Sequence, residues 1–300
     1  MTDKKLFKII SSILAAVIVL IGIVVNQELS GINLGHQASI PAEQRLEIDF
    51  LNIGQGDSIL IKTPHNQKIL IDGGPDMSIL DQLGKNMVFF DKNIDVMILT
   101  HPHADHVSGL VEVLKRYDVG RIYYTGVAHT SPAFLEWLDA IKQSGAPLHI
   151  VSGQKSLEFA DGVNLEFIYP LEDIAEKQFD ELNNSSIVCK VTYKNKKFLF
   201  VGDAEAAVEK ALIDSAVDLR SDVLKVGHHG SATSSTEEFL TAVDPEYAVV
   251  QVGQDNEFGH PSLTVIRRLE RLGIEIFSND LNGQVSVFSD GDNIEIVTEK

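Results

Sequence analysis

Four side chains that bind metals well fall within six residues of one another in the stretch Thr100-His101-Pro102-His103-Ala104-Asp105-His106. An apolar run, Val96-Met97-Ile98-Leu99, precedes it and reads as a buried strand. A helix-like run, Val107 to Tyr117, follows. Pro102 keeps His101 extended, out of the helical region. Residues two apart on an extended chain share a face, so His101 and His103 can point at one cation. The chain then turns, and Asp105 and His106 can point at a second cation beside it. Asp105 could instead cap the following helix, and single histidines are often structural. Three imidazoles and a carboxylate in one turn are hard to explain that way.

Further candidates recur just beyond apolar strands, where a rigid scaffold meets an accessible loop. Asp203 follows Phe198-Leu199-Phe200-Val201-Gly202, His228 and His229 follow Val223-Leu224-Lys225-Val226, and His260 stands in Gly259-His260-Pro261. Each has a plain reading: Asp203 as a helix cap, one of the paired histidines in the core, His260 in an ordinary turn. Together with residues 101–106 they favour one convergent metal centre. Asp72, before Gly73-Gly74, reads as a group that orients a ligand from behind, because the glycines permit a tight turn close to the site. The hydroxyls of Ser231 and Thr233 could bind phosphate oxygens; an ordinary helix start is the other reading of that run.

The elements that must carry these residues are legible as alternating segments. Strand-like runs cover 46–51, 57–61, 68–71 and 96–99, with a helix from about Ser78 to Phe90. Beyond the metal turn come strands at 121–124 and 148–151 around a helix at 132–143. A run of four strands follows at 157–159, 163–169, 187–193 and 196–201. Helices at 204–214, 236–243 and 262–272 then alternate with strands at 223–226, 247–252 and 274–277, and two strands, 284–288 and 293–297, finish the chain. This pattern predicts an α/β fold in which two sheets pack face to face with helices outside, one layered domain from about 45 to 300.

The chain has 300 residues and a formal net charge of −18. Setting aside the three lysines and one aspartate before residue 26 leaves 22 basic and 42 acidic residues, net −20. Such a surface repels polyanions unless cations or a local basic strip offset it, which counts against general nucleic-acid binding. A metal-centred site that takes one phosphodiester at a time stays open. The single cysteine, Cys189, lies in a strand-like run, so no intramolecular disulfide is possible and a Cys-ligated zinc site is disfavoured. Residues 1–8 are basic, and Ile9 to Val25 is an uncharged run of 17 residues, near the lower limit for a membrane span. The expectation is a signal anchor at 9–25 with its lysines cytoplasmic, a linker at 26–44, and the domain at 45–300 outside the membrane; a cleaved signal peptide is the alternative.

The His-x-His-x-Asp-His turn resembles the signature of the metallo-β-lactamase superfamily. The wider arrangement is similar to the nuclease-like domain of the ComEC competence proteins and their stand-alone relatives. The stretches that carry this likeness are Phe50 through Asp57, Ile71-Asp72-Gly73-Gly74, His101 through Gly109, Asn183-Asn184-Ser185-Ser186, Val201-Gly202-Asp203, Lys225 through Ser231 and Gly259-His260-Pro261. The resemblance implies an αββα sandwich with a dinuclear site at one edge of the sheets. It implies His101 and His103 as ligands of one metal, Asp105 and His106 as ligands of the other, and Asp203 as the bridging carboxylate. The late ligand matches the His228-His229 pair, with His228 favoured and His229 behind it or facing substrate. His260 becomes an additional ligand, a proton donor or a phosphate contact, and with Asp105 is the candidate for direct catalytic work.

One departure stands out. Many superfamily members place a further histidine roughly twenty residues before the bridging aspartate; here Asn183-Asn184-Ser185-Ser186 stands there, and no histidine occurs from 151 to 227. The cations expected are two zinc or manganese ions, which about 3.5–4 Å apart can share a water and lower its pKa toward neutrality. The expected activity is a membrane-anchored phosphodiesterase, foremost a nuclease acting on extracellular DNA. The same site acting on a cell-wall or small-molecule phosphoester, a lactone or a β-lactam is the alternative, and a binding module with a vestigial site is the second. A role in DNA uptake would need a separate channel protein, because only one spanning segment is legible.

Overall fold

Alternation along the first strand decides where the core lies. In the computed structural model, which describes residues 40, 41 and 44–300, Leu46, Ile48 and Phe50 of β1 (Leu46–Phe50) all join one buried cluster. The strands that follow are β2 (Ile59–Lys62), β3 (Lys68–Ile71), β4 (Asn93–Ile94), β5 (Val96–Ile98), β6 (Asp118–Val119), β7 (Ile122–Tyr124) and β8 (Leu148–Ile150). Next come β9 (Lys155–Glu158), β10 (Val163–Tyr169), β11 (Val188–Tyr193), β12 (Lys196–Phe200), β13 (Val223–Lys225), β14 (Tyr247–Val250) and β15 (Glu275–Ser278). The last two are β16 (Val285–Ser289) and β17 (Ile294–Thr298). One sheet has the order β17-β16-β1-β2-β3-β5-β7-β8 and the other β15-β14-β13-β12-β11-β10-β9, with β4 and β6 forming a small separate pair.

The two large sheets share a buried cluster to which Ile48, Phe50, Ile61, Ile71 and Ile98 contribute from one side and Leu165, Phe167, Val191, Phe198 and Phe200 from the other. Phe50 and Phe200 meet across this layer with ring centroids 6.1 Å apart. Because side chains alternate, Leu60, Leu70 and Met97 turn the other way, into a cluster with the helices Ser78–Asn86, Ala104–Leu114 and Pro132–Ser144. Leu199, Leu224 and Val250 do the same beneath the helices Ala206–Asp214, Glu237–Val243 and Leu263–Arg271. The result is the expected αββα layering, with both faces of each sheet covered. Cys189 is fully buried between the sheets, and burial pushes its thiol pKa up.

Several boundaries differ from the sequence reading. The helix after the metal turn starts at Ala104, not Val107, so Asp105 and His106 lie in its first turn. The first helix ends at Asn86, and Val88, Phe89 and Phe90 are exposed. The strand expected from Asp57 begins at Ile59, leaving Asp57 in the preceding loop. The last two strands return to the first sheet, where β16 pairs antiparallel with β1. The expected anchor at 9–25 and most of the linker lie outside the described residues. Among the described residues no helix is long and apolar enough to cross a membrane.

Five strands set up the site. β3 and β5 run parallel in one sheet, and β12, β13 and β14 run parallel in the other. Their C-terminal ends deliver, in turn, Asp72, the 100–106 turn, Asp203, the His228-His229 pair and Gln251.

Candidate metal centre

The metal turn is pinned by backbone contacts that only small residues allow. The amide of Gly73 donates to the His106 carbonyl (2.8 Å), and that of Gly109 to the Gly74 carbonyl (3.1 Å). A Cβ on Gly109 would stand 1.9 Å from the Gly73 oxygen, so the loop after β3 and the helix Ala104–Leu114 meet backbone to backbone. Behind the turn lies fully buried Asp72. Its carboxylate accepts from the Thr100 amide (2.8 Å) and hydroxyl (2.7 Å) and lies 2.8 Å from His106 Nδ1. The Thr100 hydroxyl is also 3.1 Å from His101 Nδ1. Both imidazoles therefore turn their Nε2 atoms outward, toward Asp203.

Asp203 Oδ2 is the point of convergence. It lies 3.3 Å from His106 Nε2, 3.4 Å from His229 Nε2, and 3.9 Å from both His101 Nε2 and His228 Nε2. His101 Nε2 is 2.9 Å from His103 Nδ1, so those two imidazoles face each other on one side of the carboxylate. On the other side, Asp105, His106, Asp203 and His229 each offer a ligand atom, all within 4.8 Å of one another. His101 thus lies beside His103, and Asp105 beside His106.

For the late ligand, the preference moves from His228 to His229. Both residues have left-handed backbone, φ 49° and 52°, a conformation that costs non-glycine residues of order 1–3 kcal/mol each and gathers at functional sites. The two rings thereby diverge. His229 is buried, with Nε2 3.2 Å from Asp105 Oδ2 and Nδ1 2.9 Å from the Gln251 carbonyl. His228 is 22% exposed at the mouth, its Nδ1 3.2 Å from Glu205 Oε1 and 3.2 Å from the Thr233 hydroxyl. The Ser231 hydroxyl contacts that of Thr233 (3.0 Å), which donates to Glu205 (3.0 Å). Neither of these two hydroxyls lines the cleft. His260 stands at the rim, its ring 5.7 Å from that of His228, and belongs to neither ligand group.

Two groups had no role in the sequence reading, Asp57 and Lys225. Asp57 and Lys225 form a buried ion pair, Nζ to Oδ2 2.5 Å, and Asp57 Oδ1 lies 3.2 Å from His229 Nδ1. Lys225 is fully buried, so this pair braces the base of the His229 ring. Asn183 lines the cleft, its side-chain nitrogen 3.3 Å from His228 Nε2. Its amide nitrogen donates to Glu205 (3.2 Å), while its buried Oδ1 has no partner. Both aspartate and lysine fall in stretches that resemble the family and in strand-like runs, and nothing local in the sequence pairs them.

The electrostatics favour cations. Burial opposes charge on His106 and His229, but Asp203 and its neighbouring carboxylates overcome it and hold both imidazoles well above the ordinary histidine pKa. Burial likewise opposes charge on Asp105 and Asp203, and the facing imidazoles, His106 and His229, overcome it and keep both carboxyls low. His101 goes the other way, lowered by burial and then by His106. The pocket thus calls for positive charge beside Asp203. Buried His106 Nε2 and Asp203 Oδ1 have no hydrogen-bond partner, as atoms reserved for a cation would. Imidazoles with carboxylates suit two divalent metal ions, and the residues fit them.

A four-layer αββα sandwich with clustered imidazoles and carboxylates at the C-terminal strand ends defines a class. The chain belongs to the metallo-beta-lactamase superfamily, whose family model matches residues 51–254. It is 30% identical over 257 residues to ComE operon protein 3 of Bacillus subtilis (strain 168), covering 80% of this chain and 32% of that protein. Competence protein ComA of Neisseria gonorrhoeae is 31% identical over 252 residues, again with 80% and 32% coverage. The chain thus spans about a third of the length of the curated relatives it matches. Among solved structures, CmlA, a diiron beta-hydroxylase from Streptomyces venezuelae, shares the fold with a TM-score of 0.52 at 13% identity, over 80% of this chain and 53% of that one.

Proposed function

We propose that the chain is a phosphodiesterase acting on DNA, anchored by residues 9–25 with its hydrolase domain outside the membrane. The observation that carries the hydrolase is Asp203 Oδ2, set within 3.9 Å of His101, His106 and His229 between two groups of ligand atoms. His101, His103, Asp105, His106, Asp203 and His229 would hold two divalent cations, whose chemistry there would be to acidify a water and offset charge on the scissile phosphate. The chain's own part is orientation. Asp72 fixes the Nδ1 face of His106, the Asp57–Lys225 pair braces His229, and Glu205 holds Nδ1 of His228 so that its Nε2 faces the cleft. His260, at the rim, is placed to touch the substrate. DNA as substrate draws support from the names of the relatives, ComE operon protein 3, Competence protein ComA and Recombination protein 2 of Haemophilus influenzae.

A smaller phosphoester is the second reading, favoured by the net charge of −18 and by the absence, among the described residues, of any lysine or arginine from the cleft lining. The test is incubation of the full chain, with manganese or zinc, with single-stranded DNA and with a bare phosphodiester, beside His101→Ala and Asp203→Ala. DNA cleavage that both substitutions abolish is the expected result. Cleavage of the bare diester alone transfers the assignment to the second reading, and bound metal without hydrolysis of either sinks both.

A further inference from the structure

The residues argued so far hold cations and a phosphate, and all of that chemistry is blind to what the phosphate is attached to. One side chain at the cleft is not. Phe258 is 70% exposed, yet it lies against the ring of His260 with centroids 5.9 Å apart and planes 16° from parallel. Both rings line the same cavity of about 210 Å³ as Asp105, Asp203, His228 and His229. The loop that presents them is fastened. Asn256 donates to the carbonyls of Gly253 (3.0 Å) and His260 (2.7 Å) and accepts from the His260 amide (3.0 Å), and Gly253 donates to the Gln55 side chain (3.1 Å). An exposed phenylalanine is ordinary on a surface; one nearly parallel to a neighbouring ring on a fastened loop at the mouth of the cleft offers an aromatic face.

The charge balance says what that face is for. Among the described residues the cleft lining contains no lysine or arginine, and the chain is strongly acidic, so the lining itself gives a polyanion no side-chain cation to grip. Base–aromatic stacking is the recognition that survives this, because it needs no counter-charge and tolerates any base. We propose that Phe258, backed by His260, is a stacking platform for the nucleobase next to the scissile phosphate, so that the site selects base-bearing phosphodiesters over bare ones. The proposal rests on the hydrolase reading above and deepens it: a cell-wall diester without a ring has nothing to place on Phe258.

The test compares the manganese-loaded full chain with Phe258→Ala and Phe258→Trp on two substrates, the p-nitrophenyl ester of thymidine 5′-phosphate and methyl p-nitrophenyl phosphate. The quantity read is the ratio of kcat/KM values, base-bearing over bare. Phe258→Ala is expected to lower that ratio by about 5- to 150-fold, the loss of one base–aromatic stack, and Phe258→Trp to keep it. An unchanged ratio, or an equal loss on both esters, overturns the platform while leaving the hydrolase standing. If the wild type hydrolyses neither ester, the hydrolase reading has failed. The platform is then judged by equilibrium binding of a thymidine dinucleotide, which Phe258→Ala must weaken by the same factor for it to survive. Competition by oligothymidylate against that dinucleotide separates a DNA strand from a small nucleotide as the source of the base.

Discussion

Replacing His229 by alanine removes the one imidazole that lies within 3.4 Å of both the Asp105 and Asp203 carboxylates. Metal analysis of the full chain is expected to show one cation fewer in His229→Ala and no change in His228→Ala, whose ring stands at the mouth beside Glu205. The reverse pattern would return the ligand to His228. The buried Asp57–Lys225 pair gives a stability prediction. Lys225→Met leaves an uncompensated carboxylate in the core and is expected to cost about 3–5 kcal/mol in urea unfolding. Adding Asp57→Asn should recover part of that loss; a double substitution no better than the single one would mean that the pair is not coupled. These cases show what residue-level reading can reach. His101 through His106 were legible because the ligands are contiguous in sequence. The choice between His228 and His229 was not, since it turns on two consecutive left-handed residues that no composition rule marks. Asp57 and Lys225 find each other only through the fold.

Between elements, the tightest joint is the contact of Gly73 with Gly109. A methyl group at Gly109 has no room beside the Gly73 carbonyl, so Gly109→Ala must push the helix Ala104–Leu114 off the loop and carry Asp105 and His106 with it. The expected cost is at least about 1–3 kcal/mol, with weaker metal binding read by titration calorimetry. Gly84→Ala is the matched control. It lies within the helix Ser78–Asn86 with nothing within 4 Å of its Cβ position, and it should stabilise by about 0.4–1 kcal/mol. Strands and helices were readable here from period alone, because most strands alternate or run apolar and each outer helix shows one apolar face. Helix starts were less so. Ala104 opens its helix without a side-chain cap on His103, and the usual capping signal is therefore missing. The return of β16 to β1 was not readable either, because pairing across most of the chain leaves no local trace.

For the molecule as a whole, the acidic surface and the cation-free cleft lining set the salt response. If bound cations and stacking carry the affinity, binding of oligothymidylate to the manganese-loaded chain should show a log–log salt slope no steeper than about −0.7, one phosphate's worth on a single strand. A slope several times larger would reveal a basic strip elsewhere. The layered architecture followed from the order of the elements, whereas the merging of five parallel strand ends into one edge required the two sheets to be seen together. The sole cysteine, sealed between those sheets with its thiol held in the unreactive form, has a practical corollary. A thiol engineered into the surface would be the single site that a maleimide dye reaches. Such a fluorophore on the 253–261 loop would report each arrival at the cleft as a change in brightness, with no background from the interior.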